Sequence, residues 1–278
     1  MIVSFNPCAP ADLYLVHKGS ASVTEDETEA MRSASAVILH QGCSAGLYRA
    51  ARECCKNVFP DFSARFNYPG KIGQTELFRA TETPHPDTLI CRNLEHFHEQ
   101  VKGRHGIPFP GFPLVFKFDR ADEGMGVFLA ENESRLPSLL DMAKEWERTG
   151  QSGFILQKYI PSGGKALRVV VIYKQTFAYW RVSNDSICIN AAKGAGIDHS
   201  SHPELIQKGV NAVKRFCAGT GINLAGFDLI FPEANPADGP LFLEINYYFG
   251  RRGLGGSNCY YEILAREIKR WLNDRGIK

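Results

Sequence analysis

The apolar positions of the chain form short blocks whose spacing changes between the period of a strand and that of a helix. In the first half, continuous apolar runs predict β-strands at residues 2–5, 36–40, 89–91 and 114–118. Helical spacing between them predicts helices at residues 44–56, 71–81 and 92–101. Residues 59–70 are rich in proline, asparagine and aromatic residues, so this stretch is predicted to be a connection.

The second half continues the same alternation with longer elements. Strands are predicted at residues 154–157, 168–173, 177–182, 226–231 and 241–246, with residues 173–176 as a hairpin turn. Apolar stripes predict helices around Leu136–Trp146, around Ile206–Val213 and around Leu264–Trp271. We find no internal repeat. The pattern therefore indicates an α/β (α+β) protein.

Length and composition narrow the class of protein. A chain of 278 residues corresponds to about two domains, and 44% hydrophobic with 22% charged residues is ordinary for a globular protein. No apolar run reaches about 18 residues, so no membrane-spanning helix is expected. Residues 1–5 are apolar with no basic region before them, which does not resemble a signal peptide. A cytoplasmic location is the resulting expectation.

Charge and cysteine content point away from several other classes. The formal net charge is +2, from 32 basic and 30 acidic residues, and this balance argues against an extended nucleic-acid surface. The eight cysteines contain no C-x-x-C pair, which favours reduced cytosolic thiols. His96 and His98 with Glu95 suggest a metal site, but positions i and i+2 of a helix do not share a face. A solvated helix is therefore the favoured interpretation there.

The strongest candidate chemistry lies on two strands near the C-terminal end. Asp228 lies on one strand, and Glu244 and Asn246 lie on the next. Alternate residues of a strand point to the same face, so Glu244 and Asn246 share a face and Asp228 joins them if the register matches. Carboxylate and amide oxygens suit Mg²⁺. The same spacing also fits the polar outer face of a half-exposed sheet, and both interpretations stay open on spacing alone.

A second set of candidate residues is basic. Lys117 lies within an apolar strand, and a loop of small residues follows at positions 120–126. Such an arrangement can hold phosphates, although it fits no standard phosphate-loop motif, and a snorkelling edge lysine explains it equally well. Arg168 and Arg181 lie on strands, and a polar loop with Asn190 follows. These arginines can neutralise phosphoryl oxygens or form structural ion pairs.

These features in this order resemble the ATP-grasp superfamily, near its RimK and glutathione-synthetase branch. The resemblance spans about residues 65–256 and rests on Lys71, Lys117 with its glycine loop, residues 154–160, residues 164–168, Arg181, residues 190–194, residues 226–228 and residues 243–246. It implies an ATP-grasp fold with a small N-terminal pre-ATP-grasp α/β lobe over residues 1–70. The ATP-grasp domain, two lobes that clamp the nucleotide, would occupy residues 71–278.

The resemblance also implies a role for each matching position. Lys71 and Lys117 would bind the nucleotide phosphates under the loop that holds Gly124 and Gly126. The backbone of a hinge would bind adenine, and the hinge residues are Gln157, Lys158, Tyr159 and Ile160. Near the γ-phosphate and the acyl phosphate would lie Arg168, Arg181 and Asn190. The Mg²⁺ ligands, or Mn²⁺ ligands, would be Asp228, Glu244 and Asn246.

Three positions depart from the family pattern. Lys158 stands where the hinge usually has an acidic residue, and Ala166 stands where an aspartate is frequent. Residues 247–253 replace the usual small residues and Pro-Gly turn near the acceptor site. Arg251 and Arg252 in that segment either bind an acidic substrate or are solvated loop charges.

The function that the resemblance implies is an ATP- and Mg²⁺-dependent ligase that joins a carboxylate to an amine, or to a thiol, through an acyl phosphate. A kinase for a small molecule and a non-catalytic nucleotide-binding protein are the alternatives. The expected substrates are small molecules, amino acids or peptides, with no nucleic acid or membrane partner. A homodimer is a family expectation.

Overall fold

A computed structural model describes residues 1–19, 22–102, 111–121, 126–183 and 196–278. The helices are α1 (Glu25–Ser33), α2 (Ala45–Cys54), α3 (Ser63–Asn67), α4 (Gly70–Ala80), α5 (Leu94–Val101), α6 (Leu136–Arg148), α7 (Pro203–Thr220) and α8 (Ser257–Asn273). The strands form three sheets, which are given in turn below.

The first sheet is parallel and lies in the N-terminal part of the chain. Its strands are β1 (Ile2–Ser4), β2 (Leu13–Tyr14), β3 (Ala36–Ile38) and β4 (Val58–Phe59), in the order β2-β1-β3-β4. Both faces are covered, because Val3 and Val37 lie in one core and Ile2 and Ile38 lie in another. Burial on both sides explains why these strands read as continuous apolar runs rather than alternating ones.

The second sheet is antiparallel and has its own core. Its strands are β5 (Thr88–Cys91), β6 (Leu114–Phe118), β7 (Val127–Ala130) and β8 (Phe154–Lys158), in the order β5-β8-β6-β7. Helices α5 and α6 cover one face, where Phe116 and Phe154 stack with ring centroids 4.7 Å apart.

The third sheet is antiparallel and completes the fold. Its strands are β9 (Lys165–Ile172), β10 (Gln175–Val182), β11 (Gly196–Asp198), β12 (Leu224–Ile230) and β13 (Leu241–Asn246), in the order β11-β10-β9-β12-β13. Val169 and Val171 of β9 pack in the same core as Val3 and Val37, so the first and third sheets share a continuous interior. Helix α8 covers the other face, with Trp271 fully buried against Phe59.

Most predicted elements are present, including strand β6 and the hairpin between β9 and β10. The expectation that residues 59–70 are only a connection is wrong in part, because helix α3 lies within them. Strand β2 and helix α1 were not predicted, since two residues give no periodicity and α1 is mostly polar. No helix in the described part of the chain is long and apolar enough to cross a membrane.

Candidate active site

Strand register places Arg168 and Asp228 directly opposite each other on neighbouring strands in the middle of the third sheet. Asp228 pairs with Arg168 of β9 on one side and with Glu244 of β13 on the other, so the three side chains share one face. Arg168 donates from Nε to Oδ1 at 2.5 Å and from Nη2 to Oδ2 at 2.8 Å. The two residues are 6% and 1% exposed, which makes this a buried bidentate ion pair.

Two further side chains converge on the same carboxylate. Arg181 Nη1 lies 3.4 Å from Asp228 Oδ2, and Asn246 Nδ2 donates to that oxygen at 3.2 Å. Burial alone raises the pKa of the Asp228 carboxyl, but the two arginines and Asn246 outweigh it and the pKa is lowered. Gly226 makes room for this arrangement, since a Cβ there would lie 3.3 Å from Arg168 Cδ.

Lys117 lies on the second sheet and is held by a chain of buried hydrogen bonds. Its Nζ donates to Gln157 Oε1 at 2.6 Å, and Gln157 Nε2 donates to Thr88 Oγ1 at 3.0 Å. The register explains the contact: Lys117 is opposite Ile155 and therefore diagonal to Gln157, which is opposite Thr88. The side chain of Gln157 thus positions Lys117, a role that the hinge prediction did not include.

Burial changes the proton affinity of Lys117. The residue is 5% exposed, and desolvation lowers the pKa of its ammonium group to about 8. Glu244 and Asp228 raise this pKa and Lys71 lowers it. Charges on the second sheet, the third sheet and helix α4 therefore act on one another. Lys117, Lys71, Glu244 and Asp228 therefore belong to one electrostatic cluster.

Lys71 lies in the first turn of helix α4 and joins the same cluster. Its Nζ donates to the Ala121 carbonyl at 2.8 Å and lies 3.9 Å from Glu244 Oε1. Asp119 fixes the start of the helix, because its Oδ1 accepts from the Ile72 N–H at 2.7 Å. Gly70 has φ +70° and a Cβ there would lie 2.4 Å from Asp119 Oδ1, so only glycine fits.

Gln74 joins helix α4 to strand β13 at Ile245, which lies between the candidate metal ligands Glu244 and Asn246. Its Nε2 donates to the Ile245 carbonyl at 3.0 Å, and its Oε1 accepts from the Ile245 N–H at 2.8 Å. Ile245 is flanked by Glu244 and Asn246, so this double hydrogen bond fixes the backbone that carries both. Sequence reasoning missed Gln74 because nothing in helix periodicity marks a side chain that binds a distant backbone.

The predicted hinge follows β8. The Lys158 N–H donates to the Asp87 carbonyl at 2.8 Å, and the Tyr159 N–H donates to the Pro113 carbonyl at 3.2 Å. Within the described ranges, the Ile160 N–H has no backbone hydrogen-bond partner. The backbone N–H groups of Lys158 and Tyr159, two of the four predicted hinge residues, are therefore used inside the protein.

The glycine loop and the polar loop are only partly described. Gly124 and Asn190 lie outside the described residues. Gly126 is buried, and a Cβ there would lie 2.3 Å from Ala121 Cβ, so close packing requires a glycine at this position. No group of three or more His, Cys, Asp or Glu side chains suited to a metal occurs among the described residues. The predicted ligand set has two carboxylates and the amide of Asn246.

An open cleft of about 410 Å³ adjoins the cluster. It is bordered by α3, by the start of α4, by Asp119 and Arg120 after β6, and by residues 244–248 at the end of β13. The structure does not place Arg251 on this cleft. Its guanidinium instead lies 4.5 Å and 4.6 Å from the ring centroids of Tyr260 and Tyr261.

Two antiparallel sheets that bring cations, carboxylates and an amide together, joined to a small parallel N-terminal sheet, define an ATP-grasp architecture. The sequence profile of the RimK-like ATP-grasp domain family matches residues 71–268. The chain belongs to this family, which confirms the expectation of an ATP-grasp enzyme of the RimK ligase type.

Relatives and solved structures agree with the family. A probable alpha-L-glutamate ligase of Legionella pneumophila strain Corby is 28% identical over 226 residues, which cover 71% of this chain and 70% of the relative. The RimK domain ATP-grasp protein of Sphaerobacter thermophilus superposes with a TM-score of 0.60 at 14% identity, over 96% of this chain and 98% of that one.

A more distant structure confirms the fold alone. The ADP complex of purK, an N5-carboxyaminoimidazole ribonucleotide synthetase, superposes with a TM-score of 0.57 at 14% identity. The match covers 88% of this chain, which spans 62% of the length of that protein.

Proposed function

We propose that the chain is an ATP-dependent ligase that joins a carboxylate to an amine through an acyl phosphate. The observation that carries the proposal is the meeting of four cationic side chains with two carboxylates and an amide at one place between the second and third sheets. The residues are Lys71, Lys117, Arg168, Arg181, Asp228, Glu244 and Asn246.

The balance of charge in this cluster suits a polyphosphate. Cations outnumber carboxylates, and two of the cations, Lys117 and Arg168, are buried on strands where water does not screen them. An anion with several oxygens would offset the excess positive charge. The N–H of Ile160 and the carbonyls of the hinge would bind adenine, while Lys71 and Lys117 would bind the phosphates.

The oxygen ligands of the cluster also fit a divalent cation that arrives with the phosphates. Asn246 Nδ2 donates a hydrogen bond to Asp228, which leaves Asn246 Oδ1 as an acceptor. Glu244 borders the open cleft. Asp228 is already bound by Arg168, so Glu244 and Asn246 would be the principal ligands and Asp228 a third. Bound Mg²⁺ or Mn²⁺ would offset phosphate charge.

The proposed reaction has two steps. A carboxylate oxygen of the first substrate attacks the γ-phosphorus of ATP, and ADP leaves. The amine then attacks the acyl carbon, phosphate leaves, and the nitrogen loses a proton. Lys117 and Arg181 would stabilise the charge that spreads over the transferred phosphoryl group. No side chain acts as a covalent nucleophile, so the protein contributes by position and charge.

The substrates would be amino acids or peptides, as the names of the relatives suggest for those proteins. The reaction would take place in the cytoplasm, without a nucleic-acid or membrane partner. The assembly would be a homodimer.

The test is an ADP-release screen over pairs of carboxylates and amines, with mass spectrometry of the product. Release of ADP only when both are present, with a product lighter than their sum by one water, supports the ligase. A phosphorylated product without an amine would indicate a kinase instead.

A further inference from the structure

Tyr179 of β10 lies in the same cross-strand row as the charged cluster. Tyr179 is directly opposite Arg168 of β9. Arg168 is in turn opposite Asp228, and Asp228 is opposite Glu244. Residues that are directly opposite each other on neighbouring antiparallel strands project from the same face of the sheet. Arg181 is two residues further along β10, so it projects from that face as well.

The ring of Tyr179 is fixed by its packing. The residue is 4% exposed, and its ring belongs to the apolar core that helix α8 covers. A Cβ on Gly253 would lie 2.1 Å from Tyr179 Cζ, so the backbone of Gly253 contacts the end of the ring that carries the hydroxyl. The ring of His199 lies beside it, with the centroids 5.6 Å apart. The hydroxyl of Tyr179 therefore has a defined position.

That hydroxyl is not used inside the protein. It has no hydrogen-bond partner in the described part of the chain, whereas the hydroxyls of Tyr173 and Tyr260 each donate to a side chain. The side-chain atoms that are both sealed from solvent and unpartnered lie at other residues. Buried polar groups are usually hydrogen-bonded, so an unpartnered hydroxyl that solvent still reaches is placed to bind a ligand.

The protonation of Tyr179 indicates what kind of ligand it would bind. Burial raises the pKa of its phenol, although the positive charges of Arg168 and Arg181 lower it. The phenol therefore keeps its proton at neutral pH and donates a hydrogen bond. The neighbouring arginines favour an anion at this place, and a phenolic O–H donates well to an anionic oxygen.

The order of side chains along β9 and β10 indicates which part of a nucleotide Tyr179 would meet. Ala166 of β9 packs in a small apolar cluster with Ile160 of the predicted hinge. Arg181 is opposite Ala166, whereas Tyr179 is opposite Arg168, which is two residues further along β9. With adenine at the hinge, Tyr179 would lie beyond Arg181, at the end of the phosphates that is farther from adenine.

We propose that the Tyr179 hydroxyl donates a hydrogen bond to the phosphoryl group that the ligase transfers, which makes Tyr179 a further catalytic residue. The inference rests on the proposed function. The hydroxyl keeps its proton throughout and forms no covalent bond, and it stabilises the charge on the phosphoryl oxygens together with Arg168 and Arg181. Because ADP lacks this phosphoryl group, Tyr179 contributes to binding of ATP and not to binding of ADP.

The test compares two nucleotides that differ in the transferred group. ADP and AMPPNP, an ATP analogue with nitrogen between the β- and γ-phosphorus atoms, are each titrated by calorimetry in saturating Mg²⁺. Tyr179→Phe removes only the hydroxyl, so AMPPNP affinity should fall about tenfold and ADP affinity should stay within about twofold. Tyr173→Phe is the matched control and should change neither affinity, because its hydroxyl binds Asp274 instead.

The outcomes separate this inference from the proposed function. AMPPNP affinity that is unchanged in folded Tyr179→Phe overturns the role of Tyr179, although nucleotide binding stands. Equal losses of ADP and AMPPNP affinity, or the same selective loss in Tyr173→Phe, overturn it as well. A wild-type protein that binds neither nucleotide contradicts the proposed function and the inference with it.

A second variant keeps the inference testable if Tyr179→Phe does not fold. Tyr179→Met supplies a flexible apolar side chain without a hydroxyl, so it should show the same selective loss of AMPPNP affinity. Unchanged AMPPNP affinity in Tyr179→Met would then contradict the inference.

Discussion

Lys117 Nζ and Gln157 Oε1 are 2.6 Å apart and form a buried hydrogen bond within the second sheet. This bond joins the lysine that is proposed to bind phosphate to strand β8, which leads into the predicted hinge. The buried ammonium has a pKa lowered to about 8, chiefly because burial disfavours its charge. Nucleotide affinity should therefore depend on the protonation of one lysine in an accessible pH range.

The first prediction concerns proton uptake. Bound phosphate favours the charged lysine and raises its pKa, so ADP binding near pH 8.5 should take up a fraction of a proton, and affinity should fall as pH rises through 8. Calorimetry in buffers of different ionisation enthalpy measures the uptake. The exposed Lys269→Ala is the control and should behave as wild type. Absence of proton uptake in the wild-type protein would contradict the assignment.

The second prediction uses Gln157 to shift that pH dependence in both directions. Gln157→Met removes the acceptor of the protonated lysine, so the midpoint of proton uptake should move to lower pH and ADP affinity at pH 7.5 should fall roughly tenfold. Gln157→Glu supplies a carboxylate and should move the midpoint to higher pH. The same titrations check both variants, and equal midpoints would show that Gln157 does not act on Lys117.

The third prediction concerns Gln74. Gln74→Ala leaves the N–H and carbonyl of Ile245 without their partner, so the free energy of unfolding should fall by about 1–3 kcal/mol in urea. The Mg²⁺ concentration that half-saturates ADP binding should also rise, because Glu244 and Asn246 flank that backbone. Gln207→Ala removes an exposed glutamine bound to Asn211 and should change neither quantity. A loss of stability with unchanged Mg²⁺ dependence would limit Gln74 to a structural role.

The fourth prediction concerns the buried ion pair. Asp228→Asn leaves Arg168 without its counter-charge, so the free energy of unfolding should fall by about 3–5 kcal/mol. The double variant Arg168→Gln with Asp228→Asn should recover part of this loss, which urea unfolding of the full cycle measures. The native Asp228 pKa is lowered, so the pair stabilises above the unfolded carboxyl pKa and this contribution disappears as pH falls. Additive single losses would show that the pair is not coupled.

The sequence predicted the helices and strands with strong periodicity, because apolar spacing reports which face is buried. Helix α4, strand β6 and the β12–β13 pair followed from it, and their order carried the resemblance to the ATP-grasp fold. The partners of each side chain did not follow. That Asp228 binds Arg168, or that Gln74 binds Ile245, depends on strand register and on the packing of a helix against a distant strand. The boundary at residue 70 and the individual roles of the site residues stay predictions.

With the charged cluster between the second and third sheets intact, the protein should turn over ATP when a carboxylate and an amine are both present. The most direct measurement is ADP release, with mass spectrometry of the product, for the wild-type protein, Lys117→Ala and Glu244→Gln, each shown to be folded by circular dichroism. We expect the wild type to make an amide and both variants to lose ADP release almost completely, while Lys269→Ala retains it. Near-normal ADP release and amide formation in either folded variant would contradict the site.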